Sequence, residues 1–545
     1  MSRRQRFFAG SSYPGQLAVA LLVLLLGACG GDEGGNGAAT GGIDTPVASC
    51  AGLAGRTIPG GQVNTATETA AGGVPACVVT GRLEPAVNFQ LTIPCDWNGK
   101  LLFQGNGGFG GRIPAPETTY SPGVLGNSTC NDSTDGYAVV ATDMGHQTSN
   151  GFDASWVLST PAAVDDYGYR AVHVTTLAAH ELLKLRFGRD ATRSYFEGCS
   201  DGGREGLMAA QRYPADFDGI IARAPASNWT GLHSAGNLIA KRLAVPGAKP
   251  TTSKLSLLGN AQLAACDALD GLADGIMGLP GNCGAVLEAL RCPSGTDAPD
   301  CLTDAEIATF QQVRSATPLA FAQTSALASY PGFPAGHEEF PLSWPVWLTE
   351  GVPSATPPQL PIKMIAQSAF VRYFIVGDAN ADPLQVNLAN YATALERESR
   401  RIDATDPNLG PFFDRGGKLI LWHGMADPAI SMNNTTAYFE AVRAARGAQA
   451  DANMRYFAAP GVLHCTFGPG ADNVDFVTPM ARWVESGSAP ENGIVARRFP
   501  LGAGGVAQMT QPPILSRPLC RYPQYAHYNG AGDASDAASF SCRTP

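Results

Sequence analysis

The sequence predicts an α/β fold in which one largely parallel sheet is interrupted by a large insertion. Strand and helix patterns alternate between residues 78 and 222. From about residue 226 to about residue 411 that rhythm breaks into a loop-rich, proline-dense stretch. It resumes at Gly416-Gly417-Lys418-Leu419-Ile420-Leu421-Trp422.

In chain order, Arg3-Arg4-Gln5-Arg6 ahead of the apolar run Leu17 to Leu26 is a signal peptide, residues 1–28. Its end, Leu26-Gly27-Ala28-Cys29, has the pattern of a bacterial lipobox, so cleavage before Cys29 and lipidation of that thiol are expected. An ordinary secretory signal cut at the same small residues is the alternative. Gly30 rather than Asp follows, so an outer-membrane lipoprotein is expected, tethered by the Gly-rich residues 29–49. The net charge of −10, with no basic cluster beyond the N-terminus, argues against nucleic acid as a partner. No protein partner is implied, and the membrane is met only through the lipid anchor.

Thirteen cysteines less Cys29 leave an even number, which in an exported chain reads as six disulfides. Local spacing makes Cys266–Cys283, Cys292–Cys301 and Cys520–Cys542 plausible pairs.

The apolar runs Val87 to Ile93 and Lys100 to Phe103 are early strands, and Tyr137 to Asp143 is another. Asp166 to Phe187 carries Val172, Leu177, Leu182, Leu183 and Leu185 at near-helical spacing. Arg193 to Glu197 is a short buried strand, followed by Gly198-Cys199-Ser200-Asp201-Gly202-Gly203 and then a helix ending before Pro214. Strand, Gly-x-Ser-x-Gly and helix form a nucleophile elbow, which lifts Ser200 to the C-terminal edge of the sheet. In a chain with 64 glycines the pentapeptide alone is weak evidence, so the partners decide. With them the fold class is an α/β-hydrolase: residues 50–225 and 412–545 form the hydrolase domain, and residues 226–411 an inserted lid domain.

That fold needs an acid and then a histidine after the serine. The strand ending at Trp422 opens into a loop carrying Asp427, and the strand Met454 to Ala458 leads to His464. His423 precedes the acid, and His527 lacks a leading strand, so His464 is the expected base. It would take the proton of Ser200 while Asp427 fixes its tautomer. Backbone N–H groups of Asp201 and of a glycine in Gly105 to Gly111 would hold the oxyanion. Cys199 precedes the serine and Cys465 follows the histidine, so a Cys199–Cys465 disulfide is expected if the triad assembles.

Cys199-Ser200, Asp427, His464-Cys465, Arg204-Glu205-Gly206 and His423-Gly424 resemble the tannase and feruloyl esterase family of α/β-hydrolases, which includes mono(2-hydroxyethyl) terephthalate hydrolases. The resemblance implies oxyanion donors at Gly108 and Asp201. It also implies the further disulfides Cys50–Cys95 and Cys77–Cys130. The acidic loop Cys266 to Ile276 places three carboxylates close together, which suits calcium, or is simply a solvated turn. For this loop the resemblance implies a structural calcium on Asp267, Asp270 and Asp274 with the carbonyls of Leu272 and Ile276. No organic cofactor is implied.

The expected activity is hydrolysis of small aromatic esters, feruloyl or galloyl foremost, through an acyl-enzyme on Ser200. A terephthalate monoester is the alternative. The family's terephthalate enzymes grip the free carboxylate with a lid arginine, and residues 352–370 contain none. Trp344, Trp347, Phe370, Tyr373 and Phe374 line an acyl pocket or fill the lid core. A non-catalytic binding lipoprotein would lack a triad member, and none is missing.

Overall fold

In the computed structural model the described residues are 46–126, 136–279, 283, 286–321, 327–352, 359–502 and 507–545. Ten strands form one sheet: β1 (Thr57–Ile58), β2 (Gly61–Ala71), β3 (Val74–Leu83), β4 (Val87–Pro94), β5 (Trp97–Gln104), β6 (Gly136–Thr142), β7 (Arg193–Cys199), β8 (Gly219–Arg223), β9 (Lys418–Gly424) and β10 (Met454–Ala459). Their spatial order is β1-β2-β3-β4-β6-β5-β7-β8-β9-β10.

The sheet is mixed rather than parallel throughout. Pairing is antiparallel from β1 to β4 and across β4 and β6, and parallel from β6 to β10. Connection length is the reason. Gly72 and Gly73, both at positive φ, turn β2 straight into β3, and so tight a connection can only produce an antiparallel neighbour. From β6 onward the successive strands are joined through helices, as parallel pairing requires.

Both faces of the parallel half are buried, and side chains alternate between two cores. Leu101, Phe103, Phe196, Ile220, Leu419 and Leu421 enter the larger core, while Leu102, Tyr195, Ile221, Ile420 and Trp422 enter the other. Helices Ala171–Phe187 and Asp201–Arg212 cover the larger-core side, and Val477–Ser486 covers the second. Within Ala171–Phe187, Leu177 faces outward at 44% exposure, contrary to the apolar stripe read from sequence.

Between β8 and β9 the described chain adds no strand to this sheet. Its helices Trp229–Leu243 and Ile362–Ala369 pack on each other. Trp229, Phe310, Phe370 and Phe374 belong to the same core cluster as the sheet residues. The insertion is therefore fastened onto the strand ends by shared apolar packing. Among the described residues no helix is long and apolar enough to cross a membrane. Cys29 and the rest of residues 1–45 lie outside the described residues.

Four expected disulfides are present: Cys199–Cys465, Cys266–Cys283, Cys292–Cys301 and Cys520–Cys542. The pairing of the remaining cysteines differs from expectation. Cys50 bonds Cys77, with Cα atoms 5.6 Å apart, in place of Cys50–Cys95 and Cys77–Cys130. Both side chains enter the same core cluster, so strand alternation brings them together. Cys95 is itself disulfide-bonded, and Cys130 lies outside the described residues.

Candidate active site

The site is built at the C-terminal ends of β5, β7, β9 and β10. Ser200 follows β7 with φ 64° and ψ −120°, a conformation that costs a side-chain-bearing residue on the order of 1–3 kcal/mol. Neighbouring backbone holds it there. Its N–H donates to Arg223 O at 3.0 Å, and its carbonyl accepts from Ala226 N at 3.0 Å and Arg204 N at 3.2 Å. The bracketing glycines are required by closeness: a Cβ on Gly198 would lie 2.6 Å from the Gly202 carbonyl carbon, and one on Gly202 would lie 2.7 Å from Asn106 O. The turn thus presses the elbow helix against the loop after β5.

Asp427, in the loop after β9, is buried and fully engaged. Oδ1 accepts from Ala429 N at 2.7 Å and Ile430 N at 3.0 Å, while Oδ2 accepts from His464 Nδ1 at 2.8 Å and His423 Nε2 at 3.1 Å. Burial would raise its pKa, but the charge of His464 and the hydrogen bonds from both imidazoles outweigh that and hold it well below the usual carboxylate range. With Nδ1 of His464 committed to the acid, Nε2 is left for the serine. Sequence order removed His423 as base, and its place explains why it is there. Buried beneath the acid, it accepts from Thr435 Oγ1 (2.8 Å) at Nδ1 and shares its Nε2 proton between Asp427 Oδ2 and Ile430 O. It steadies the carboxylate from a buried position that does not line the cavity.

Cys199–Cys465 ties the serine loop to the histidine loop, with Cα atoms 6.0 Å apart across 266 residues of chain. Cys465, like Ser200, has a positive φ, 64°, so both loops turn sharply at the bridge. From the insertion, the Trp347 ring stands edge-on to the His464 ring at 5.3 Å.

Ser200, Asp201, Gly108 and His464 all open on one cavity of about 270 Å³. Gly108 has φ 62°, and a Cβ there would lie 2.3 Å from Gly151 O, so only glycine fits. The neighbouring N–H groups are used internally: Gly107 donates to Asn106 Oδ1, Phe109 to Gly151 O, Gly110 to Gly107 O and Gly111 to Asp143 O. No such acceptor lies on the Gly108 N–H among the described residues. Asp201 opens its helix, so its N–H has no intrahelical acceptor.

The walls are aromatic: Phe109, Tyr120, Phe152, Trp229 and Trp347. Of the five rings considered from sequence, only Trp347 lines the cavity. Trp344, Phe370 and Phe374 are buried in the core, and Tyr373 packs against it. Phe109 sat inside the glycine cluster already singled out. Tyr120, Phe152 and Trp229 carried no local signal. Lys363 also borders the cavity, its ammonium 2.9 Å from Ala429 O and 4.5 Å above the Phe333 ring. Burial lowers its pKa to about 8 against the opposing pull of Asp427.

The acidic loop lies in the insertion. Asp267 accepts from Gly275 N and Ile276 N, Asp274 from Ile276 N and from Arg517, and Asp270 from Leu272 N. Burial and then the charges of Asp274 and Asp267 raise Asp270 to about 7, opposed by its Leu272 hydrogen bond. Among the described residues no three acidic, histidine or cysteine side chains gather closely enough to hold a metal ion.

Comparison with known proteins agrees with this geometry. The family model described as tannase and feruloyl esterase matches residues 71–543. The chain is 33% identical to a mono(2-hydroxyethyl) terephthalate hydrolase of Piscinibacter sakaiensis, over 84% of this chain and 82% of that protein. It is 31% identical to a probable feruloyl esterase B-1 of Aspergillus terreus, over 86% and 85%. Among solved structures, feruloyl esterase B from Aspergillus oryzae superposes with a TM-score of 0.74 at 26% identity, covering 90% of this chain and 98% of that one. An elbow serine, a buried acid–histidine pair and a family match along nearly the whole sheet and insertion agree: the chain belongs to the tannase and feruloyl esterase family of ester hydrolases.

Proposed function

We propose that the chain hydrolyses esters of aromatic carboxylic acids, feruloyl or galloyl esters foremost, with Ser200, His464 and Asp427 as its catalytic triad. The observation that carries this is the placement of Ser200 and the His464–Asp427 pair on a cavity walled by flat rings. Ser200 Oγ attacks the ester carbonyl as His464 Nε2 takes its proton, and Asp427 stabilises the imidazolium that forms. The N–H groups of Gly108 and Asp201 receive the developing oxyanion. His464 then protonates the leaving alcohol. Water, deprotonated by the same imidazole, attacks the acyl-enzyme and releases the acid. No step needs a cofactor.

A second reading, a terephthalate monoester, is supported by Lys363. The arginine sought in this region is absent, yet a lysine from helix Ile362–Ala369 brings a cation to the cavity wall. Hydrolysis of methyl ferulate, methyl gallate and mono(2-hydroxyethyl) terephthalate, with Ser200→Ala alongside, tests both readings. One ester cleaved by the wild type and spared by the variant supports the triad, and the ranking names the acyl group. Silence on all three by folded protein contradicts the proposal.

We also propose a structural calcium held by Asp267, Asp270 and Asp274 with the carbonyls of Leu272 and Ile276. The loop offers only oxygen donors, three carboxylates and two carbonyls within ten residues of chain, and the carboxylates would draw together on the ion. The ion would compete with Arg517 for Asp274. It lies in the insertion, so its chemistry is to brace the loop. Chelation is expected to lower the melting temperature with little change in turnover per folded molecule. No thermal shift would count against it. Export and lipidation at Cys29 complete the proposal, to be checked by the intact mass of the membrane-extracted protein.

A further inference from the structure

The two proposed oxyanion donors come from separate segments, the loop after β5 and the first turn of the helix after β7. Something must set the distance between them. The Tyr167 hydroxyl lies 2.8 Å from Asp201 Oδ1 and 3.2 Å from Gly108 O, touching both residues at once. We propose that Tyr167 is a positioning residue of the oxyanion hole, its hydroxyl sharing its one proton between the Asp201 carboxylate and the Gly108 carbonyl so that their N–H groups converge. This rests on the reading of Gly108 and Asp201 as the oxyanion donors.

Three features favour a built device over a chance contact. Tyr167 is fully buried and does not line the cavity, so it acts through its neighbours and never on substrate. Its partner is pinned from the other side as well. Arg204 donates to Asp201 through Nε at 2.6 Å and Nη2 at 3.1 Å, and to the carbonyls of Tyr167 (2.9 Å) and Gly168 (2.7 Å). The same guanidinium lies 4.8 Å from the Tyr167 ring centre. Finally, the chain takes a π-helical turn at Asp166–Arg170, a local widening that recurs at functional sites. Burial, with the nearby Asp201 charge, keeps the phenol protonated, so the hydroxyl remains a donor at any working pH.

The test is Tyr167→Phe, which keeps the ring packed against Trp156, Trp229 and Phe374 and deletes one oxygen. Losing a whole oxyanion donor costs about 10²–10³ in kcat. Loosening both is expected to lower kcat about tenfold, with KM within about twofold. Affinity for an aryl trifluoromethyl ketone, which forms a tetrahedral oxyanion on the serine, should fall by the same factor. Affinity for the product acid should not change. Asp201→Asn, which weakens the same bridge, is expected to fall in the same direction and serves if Tyr167→Phe fails to fold. Unchanged kcat and ketone affinity in folded Tyr167→Phe overturns the proposal, as does an equal loss for the product acid. Ser200→Ala separates the two readings: activity surviving there sinks the esterase mechanism itself, whereas a dead Ser200→Ala beside a normal Tyr167→Phe sinks only the bridge.

Discussion

A second Ser–His–Asp series lies at the other end of the strand that leads to Ser200. His180 Nδ1 contacts Asp190 Oδ1, and His180 Nε2 is 3.1 Å from Ser194 Oγ. Ser194 is the second residue of β7, and Ser200 is the first residue beyond it. In residue types and in the histidine–aspartate contact the two series are alike. They differ in everything around them. Ser194 is 4% exposed in ordinary extended strand, its N–H bonded to Asp218 Oδ2 at 2.9 Å, and none of the described cavities touches it. The Asp190 side chain is 39% exposed and pairs with Lys184 as well, whereas that of Asp427 is 0% exposed and meets only imidazoles and amides. The lesson is that a Ser–His–Asp chain is a common way of satisfying polar groups. It becomes a nucleophile when a strained elbow, a cavity and waiting N–H donors surround it.

The comparison can be broken first at the serines. Ser200→Ala is expected to lower kcat by about 10⁶-fold, while Ser194→Ala leaves it within about twofold. Both are read by initial rates on the best ester, with circular dichroism to establish folding. The acids come next. Asp427→Asn should cost about 10⁴ in kcat by favouring the wrong tautomer of His464, whereas Asp190→Asn should leave turnover unchanged. Third, replacing Cys199 and Cys465 together by serine opens the bridge between the two catalytic loops. Such a long loop predicts a loss of up to about 5.5 kcal/mol by denaturant titration, and turnover per folded molecule should fall as well. Stability lost with full turnover retained would mean that the bridge braces the fold without aligning Ser200 and His464.

The smallest effect concerns pH and salt. Both Asp427 and Asp190 are depressed. At Asp190 burial again pushes upward, and the hydrogen bond and charge of His180 prevail. A depressed carboxylate adds stability that is full above its unfolded pKa, about 4, and is lost as pH falls through the folded value. Each wild-type-minus-Asn stability difference should therefore shrink as pH falls below about 4. Salt separates the two: the exposed Asp190 contribution should fade at about 0.5 M salt, and the buried Asp427 contribution should persist.

Much of the candidate site was legible in the sequence because each proposed catalytic residue follows its own strand, so three local patterns in a fixed order pointed to Ser200, Asp427 and His464. The Cys199–Cys465 bond was legible for the same reason, since it is a corollary of triad geometry. What sequence left out depends on contacts between distant segments. Tyr120, Phe152 and Trp229 meet at the cavity only after the insertion docks. His423 and Tyr167 reveal their roles only through the atoms they touch. The strand Gly61–Ala71 was missed because its polar, mostly exposed run carries little apolar alternation. Cys50–Cys77 follows from which face of β3 Cys77 occupies, which neither cysteine spacing nor family likeness fixed.

The most direct test of the central claim is covalent. Folded protein treated with an aryl fluorophosphonate, then digested and mapped by mass spectrometry, should carry one adduct on the peptide containing Ser200, absent after His464→Ala. An adduct on Ser194, or none on a folded sample that cleaves its ester, would contradict the account.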